Sequence, residues 1–512
     1  MFCALNVRQA DYQMKNKFTR REFLKTASLT AGWCVFYKQF VCAQPGLLST
    51  RPQGILPIRW DNPAIKHHLN RCWHCEKCDV FCRDESTVFG HTTPPGEDAC
   101  IYCGQCTLFC PAQAITEQYH YQQVAEAIAD RGKIVVASVA PSVRVALGEM
   151  YGLAPGQNVE GKIVGALTKL GVDYVLDVTF AADLAVMEEA SELLVRLENN
   201  NSDNPLPMFT SCCPAWVRFA KLFYPDLLPN ISTIKSPVML QGALVKTYFA
   251  QKTGIDPAKI INVALTPCTA KKAEIRLPGM QAAGVAYRNT EMQGAELQSG
   301  MQATGAMHVN PEMQDVDIAL TCRELAILLN EGGVDFLETQ EAPYHSLMGD
   351  GSGAGIIFGG TGGAMEATLR TAYKLLNDKN PPDNFYHLTS VRGFDSLRQA
   401  SVKLGTRTLN VAVVHGTKQA RQFLETIKNG TQKFDFVEVM ACTGGCIGGG
   451  GQPINRDTDA TMLKQLRQNA LYQNDAGKAI RLSCDNPQIR LIYNDFLGEP
   501  LSQKSKELLH IF

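Results

Sequence analysis

No charge of either sign prevails in this chain: 49 lysines and arginines stand against 50 aspartates and glutamates over 512 residues. That balance offers no basic field to a nucleic-acid backbone or an anionic membrane face. Aromatic residues are also sparse, at 8%, which weakens the case for base stacking. No membrane span is apparent, since the apolar run Ala27–Tyr37 breaks at Lys38-Gln39 and a spanning helix needs about 20 apolar residues. Working nucleotide signatures are missing too. The glycines between Gly351 and Gly363 fit no strict G-x-G-x-x-G register, and the G-x-x-x-x-G-K of Gly156–Lys162 runs into Ile163. A phosphate loop needs Ser or Thr there for magnesium, so that match reads as chance.

Cysteine is what the chain has in quantity, with 18. Eight lie between Cys72 and Cys110, and five more in three short motifs. Cys3, Cys34 and Cys42 fall near the N-terminus, leaving Cys322 and Cys484 unassigned. A disulfide framework would need more spare pairs, so the cysteines read as metal ligands.

The eight form two C-x2-C-x2-C-x3-C runs, Cys72, Cys75, Cys78, Cys82 and then Cys100, Cys103, Cys106, Cys110 with Pro111 behind it. This is the bacterial ferredoxin spacing, in which the fourth cysteine of each run serves the other cluster. One 4Fe–4S cluster is expected on Cys72, Cys75, Cys78 and Cys110, the other on Cys100, Cys103, Cys106 and Cys82. A pair of zinc sites is the rival, but those favour C-x2-C pairs set farther apart.

The remaining motif cysteines each follow an apolar run. Thr210-Ser-Cys212-Cys213-Pro-Ala-Trp216 is one such stretch, and Pro267-Cys268-Thr-Ala-Lys271 another. The third is Glu438-Val-Met440-Ala-Cys442-Thr-Gly-Gly-Cys446, with six glycines between Gly444 and Gly451 before Gln452-Pro453. Alone, each would pass for a buried structural cysteine. Three together past the ends of strand-like runs match the place where α/β sheets hold ligands, and the glycines let backbone approach something bulky.

In order and separation these three motifs closely resemble the signatures of the FeFe-hydrogenases. The resemblance covers nearly all of 66–512. By it, Cys213, Cys268, Cys442 and Cys446 hold a 4Fe–4S cubane, and Cys446 bridges to a diiron subcluster bearing CO, cyanide and azadithiolate, the whole being the H-cluster. Pro141, Ser142 and Lys271 match cyanide-contacting positions, while Phe358, Gly359 and Met440 match cavity-lining ones. Cys212 with Glu189, Ser232, Glu192 and Arg196 match a proton relay running to solvent. Glu189, Glu192 and Arg196 do share one helical face, though from spacing alone Glu192 and Arg196 would be an ordinary surface pair. Thr266 and Val238 depart from the family, which usually has Met and Gln there.

Strand-like runs at 133–140, 173–179, 261–265, 315–320, 409–414 and 434–440 alternate with helical stretches, including Val143–Met150. They predict an α/β, two-lobed catalytic domain with mainly parallel sheets, behind an N-terminal α+β ferredoxin-like domain. The expected divisions are a leader over 1–43, a linker over 44–65, the two-cluster domain over 66–116 and the catalytic domain over 117–456. Residues 457–512 resemble the family's small subunit, and 280–313, rich in Gln, Gly, Ala and Met, read as a surface insertion. Arg20-Arg21 before an apolar run, with Val41-Cys-Ala43 after it, resembles a twin-arginine export signal; the bland alternative is a basic N-terminal helix. The expected activity is reversible H2 oxidation in the periplasm, with electrons passing to a c-type cytochrome or a ferredoxin. Maturation proteins would supply the diiron unit. The rival readings are an iron–sulfur assembly factor of the hydrogenase-like family and a hydrogen sensor.

Overall fold

The computed structural model describes residues 56–199, 204–281, 313–430 and 432–511. The leader and nearly all of the 280–313 insertion lie outside the described residues. Residues 56–65, expected as linker, are instead folded in. The Asn62 side chain accepts hydrogen bonds from the N–H groups of Ala64 and Ile65, each at 3.0 Å, and the turn it makes seats Leu56, Ala64 and Ile65 in a core with Cys100, Cys106 and Cys110. Ile65 opens β1 (Ile65–His67), paired antiparallel with β2 (Ile115–Glu117). With the short helices Lys77–Val80 and Gln105–Phe109, this ribbon is the α+β module that carries the two cysteine runs.

Two four-stranded sheets follow. The first has the order β4-β3-β6-β7 and is wholly parallel: β3 (Ile134–Val139), β4 (Tyr174–Asp177), β6 (Ile260–Thr266) and β7 (Ile318–Thr321). The second runs β5-β10-β9-β8, with β5 (Met208–Phe209), β8 (Leu397–Leu404), β9 (Arg407–His415) and β10 (Phe436–Met440). Here β5 and β9 lie parallel to β10, while β8 turns back antiparallel on β9 through Gly405, whose φ of +68° suits glycine. The 409–414 run is β9, but β8 was not anticipated; its half-exposed alternation gave too little apolar signal.

Two boundaries moved. The strand expected through Thr179 stops at Asp177, because the Asp177 carboxylate accepts from Thr179 N and caps a helix starting at Val178. The helix expected over Val143–Met150 is a set of turns with a 3-10 stretch only at Leu147–Tyr151. Val143 and Val145, β-branched and fully buried, lose rotamer freedom in a helix. Arg144 between them is fixed to Glu160 at 2.9 Å and Asp177 at 2.7 Å.

The helix Val178–Glu198 lies at the centre of the molecule. Seventeen of its 21 residues are buried, Asp183, Glu188, Glu189, Glu192 and Arg196 among them. A helix buried on nearly every side shows little amphipathic pattern, and each of its charges needs a partner.

Candidate active site

Four parallel strands from the two sheets end at one cavity. Beyond β3 come Pro141 and Ser142; beyond β5, Cys212 and Cys213; beyond β6, Cys268 and Lys271; beyond β10, Cys442 and Cys446. All line the same cavity, together with Phe358, Gly359 and Met440. Every cavity residue expected from sequence is therefore brought together. Val238 and Thr266, the two departures, line it as well.

The walls suit a large anionic cluster. Five thiols face it, and burial pushes all of them above the ordinary range, Cys268 to about 12; only a metal would hold such buried sulfurs as thiolates. Among the described residues, no three His, Cys, Asp or Glu side chains gather as they would round one ion. A multi-iron cluster sets its thiolates wider apart than that. The Ser142 hydroxyl is buried without a protein partner, a donor facing the cavity. Lys271 is buried and donates to Glu274 Oε2 at 2.6 Å and to the Cys212 carbonyl at 3.5 Å. Burial opposes its charge, but Glu274 and the Cys268 thiol prevail and keep its pKa raised. The glycines are tightly packed: a Cβ on Gly445 would sit 2.7 Å from Thr361 N, and one on Gly449 2.4 Å from the Pro267 carbonyl.

In the ferredoxin-like module Cys106 lies near Cys103, Cys100 and Cys82, and also near Cys78. As a thiolate Cys82 would be repelled by Cys103 and Cys100, and Cys78 by Cys110. Cys100, Cys106 and Cys110 are buried while Cys75 is exposed. The second run is stitched to the cavity. Gln105 Nε2 donates to Gly448 O at 2.8 Å, Thr269 Oγ1 to Tyr102 O at 2.7 Å, and Arg323 Nη2 to Gly450 O at 2.8 Å. A Cβ on Gly450 would stand 2.1 Å from Cys103 O, so backbone meets backbone between the two sites. These docking residues carried no sequence signal, because their partners are more than 120 positions away.

The relay residues are buried, not the surface pair that spacing alone implied. Ser232 Oγ donates to Glu192 Oε2 at 2.7 Å, and Arg196 donates to Glu192 Oε1 from Nε at 3.1 Å and Nη2 at 2.5 Å. Arg196 is only 1% exposed, and its remaining donors reach the carbonyls of Pro205, Pro229 and Ile231. The expected opening to solvent at Arg196 is therefore corrected: the carbonyls at the chain bends around it need its protons and close it in. Burial pushes the Glu189 carboxyl up to about 8, so it holds a proton at neutral pH. Thr368, whose hydroxyl donates to Glu189 Oε2 at 3.0 Å, was missed; nothing near it in sequence marks it.

Against known proteins, residues 133–450 match the iron-only hydrogenase large subunit, C-terminal domain. This chain belongs to the iron-only, or FeFe, hydrogenase family. Residues 461–511 match the iron hydrogenase small subunit and 95–116 a 4Fe–4S binding domain. The NADP-reducing hydrogenase subunit HndD of Solidesulfovibrio fructosivorans is 39% identical over 92% of this chain and 80% of its own length. The periplasmic [Fe] hydrogenase large subunit of Nitratidesulfovibrio vulgaris is 39% identical over 75% and 85%. The hydrogenase family also reaches non-hydrogenases: cytosolic iron-sulfur assembly component 3 of Mus musculus is 30% identical over 92% of both chains. Among solved structures, an apo [FeFe]-hydrogenase variant of Chlamydomonas reinhardtii superposes with a TM-score of 0.63 at 38% identity, covering 77% of this chain and 98% of that one.

Proposed function

We propose that this FeFe-hydrogenase family member is a working hydrogenase that interconverts H2 with protons and electrons. The observation that carries it is one cavity walled by Cys212, Cys213, Cys268, Cys442, Cys446 and Lys271. When bound, the family's cubane–diiron group supplies the redox chemistry on hydrogen. Cys213, Cys268, Cys442 and Cys446 would hold it, while the Ser142 hydroxyl and the Lys271 ammonium offer hydrogen bonds and charge to its anionic parts.

Cys212, beside a ligand but free of that duty, would pass protons to Glu189, a carboxyl close enough to act on its thiol when ionised. Among the described residues no hydrogen bond joins Cys212 to Glu189, or Glu189 to Ser232, so those two steps need a water or a side-chain swing. Ser232 and Glu192 then continue the route by direct contact. Cys100, Cys103, Cys106 and Cys82, and likewise Cys72, Cys75, Cys78 and Cys110, would hold two 4Fe–4S clusters, which would supply electron transfer toward a carrier meeting the exposed Cys75 side, where Trp73 is 69% exposed. We assign residues 1–43 to twin-arginine export and the mature protein to the periplasm, with a c-type cytochrome or a ferredoxin as acceptor. No described helix is long and apolar enough to cross a membrane.

The assembly-factor relatives give the second reading. It needs no proton route, and Cys212 with buried Glu189 and Glu192 counts against it. On anaerobically matured protein, infrared bands of bound CO and cyanide together with dye-linked H2 uptake are expected; without those bands the hydrogenase reading fails. In Cys212→Ala the bands should persist while turnover drops by two orders of magnitude or more, and wild-type activity there would overturn the route. Fractionation of expressing cells tests the export assignment.

A further inference from the structure

Lys464 lies in the second turn of the helix Ala460–Gly477, in the small-subunit-like segment, which supplies none of the cysteines assigned to the cavity. Its stem runs along the loop that carries Cys442 and Cys446. A Cβ on Gly444 would meet Lys464 Cδ at 3.3 Å, and one on Gly448 would meet Lys464 Cε at 3.2 Å. The two glycines are the floor on which the stem rests, and any side chain there would crowd it off the loop.

Lys464 is half-buried, yet among the described residues no carboxylate pairs with its ammonium and no carbonyl accepts from it. A cation withdrawn from water needs a counter-charge. Two neighbouring cations find theirs in the protein. Arg467, three residues on, pairs with Glu149 at 2.7 Å and donates to the Ile447 carbonyl at 2.7 Å. Lys271 pairs with Glu274 at 2.6 Å. Each of these pairs adds little net charge to the surroundings of the cavity. Asp459, at the start of the same helix, is occupied in capping, accepting from Thr461 N at 2.9 Å and Met462 N at 3.0 Å. Burial lowers the pKa of Lys464, and the strongest opposing pull comes from a thiolate at Cys442.

We propose that Lys464 is the counter-charge of the cubane on its Cys442 side and raises the electron affinity of the cluster held by Cys213, Cys268, Cys442 and Cys446. The inference rests on the hydrogenase reading and gives the small-subunit-like segment a part in it. Four thiolates outweigh the charge of the iron and sulfide they hold, and an added electron makes the cluster more negative still. A fixed cation beside it therefore favours the reduced form over the oxidised one. One electron enters the cluster and later leaves it; Lys464 keeps its proton throughout, and no bond to it forms or breaks.

The test is an infrared-monitored redox titration of the full matured chain, in which the CO and cyanide bands shift as the cubane takes its electron. Lys464→Met and Lys464→Gln remove the charge in an apolar and a polar way, while Lys464→Arg keeps it. Both neutral variants should retain the bands and titrate at lower potential, the reduction equilibrium moving about tenfold, or about 59 mV for one electron. The arginine variant should stay with wild type. Wild-type midpoints in both neutral variants would overturn the assignment. So would an equal shift in all three variants, which would trace the effect to packing rather than charge. Absence of the bands from wild-type protein would instead sink the hydrogenase reading, and this inference with it.

Discussion

Glu188 and Glu189 are consecutive on the central helix and equally hidden, at 0% and 2% exposure, yet their surroundings differ. Glu188 accepts from Tyr493, Ser505, Leu501 and His510; among the described residues Glu189 accepts from Thr368 alone. Since burial is the same, the donors make the difference. A carboxyl whose lone pairs are all engaged is an anchor, here tying the last turn of the chain to the helix. One with vacant lone pairs and a pKa near 8 is suited to hold and release a proton. Asp183, one turn earlier, shows the limit of the rule. It accepts from Ser352, Ser483 and Asn486 and is still raised by burial, so neutral donors offset desolvation without cancelling it.

The strongest way to break this contrast is Glu189→Gln. Turnover should fall by about two orders of magnitude or more, while stability moves the other way. Folded Glu189 keeps its proton up to about pH 8, whereas the ordinary value for a glutamate is 4.5. Across that window the native state binds the extra proton, so this group's contribution to stability falls as pH rises. At about 1.4 kcal/mol per unit, the cost reaches a few kcal/mol above pH 8. The glutamine has no charge to bury. Denaturant melts at pH 5.5 and pH 9 should show the variant gaining more on wild type at the higher pH; equal gaps would refute the raised pKa. Next in size, Glu188→Gln should cost about 2–4 kcal/mol in urea unfolding at neutral pH, because donors set for an anion lose part of their acceptor. A loss below about 1 kcal/mol would mean that Glu188 is not the anchor described.

How much of this could be read from sequence follows the same divide. The cavity cysteines were legible because Cys212, Cys268, Cys442 and their glycines stand in fixed short motifs, Pro141, Ser142, Phe358 and Gly359 only through the family resemblance those motifs carry, and Glu189, Glu192 and Arg196 shared a helical face. The parallel strands showed through as buried apolar runs. What stayed hidden depends on distant partners. Thr368 lies 179 positions from Glu189, and His510 322 from Glu188; no local period couples such pairs. Burial misled as well. Glu192 and Arg196 looked like surface residues because the helix is covered on nearly all sides by segments from elsewhere in the chain. The folded 56–65 stretch looked like linker because one Asn62 turn, rather than a repeat, organises it.

The finest probe of the Glu188–Glu189 contrast is Thr368→Val. Its hydroxyl is the one donor among the described residues stabilising charged Glu189, so removing it should raise that pKa further, and the sign is fixed by which form accepts the bond. One neutral hydrogen bond contributes about 1 kcal/mol net, so the shift should stay within about one unit. In a rate–pH profile of H2 oxidation, the limb governed by Glu189 should move to higher pH by that much, with the cofactor's infrared bands unchanged. Cys484→Ser is the matching control. Its half-buried thiol is pushed up to about 11 by burial and is neutral, so the exchange should leave the profile in place and stability within about 0.5 kcal/mol. A profile that moved to lower pH in Thr368→Val, or moved equally in both variants, would show that the lone hydroxyl does not set the proton affinity of Glu189.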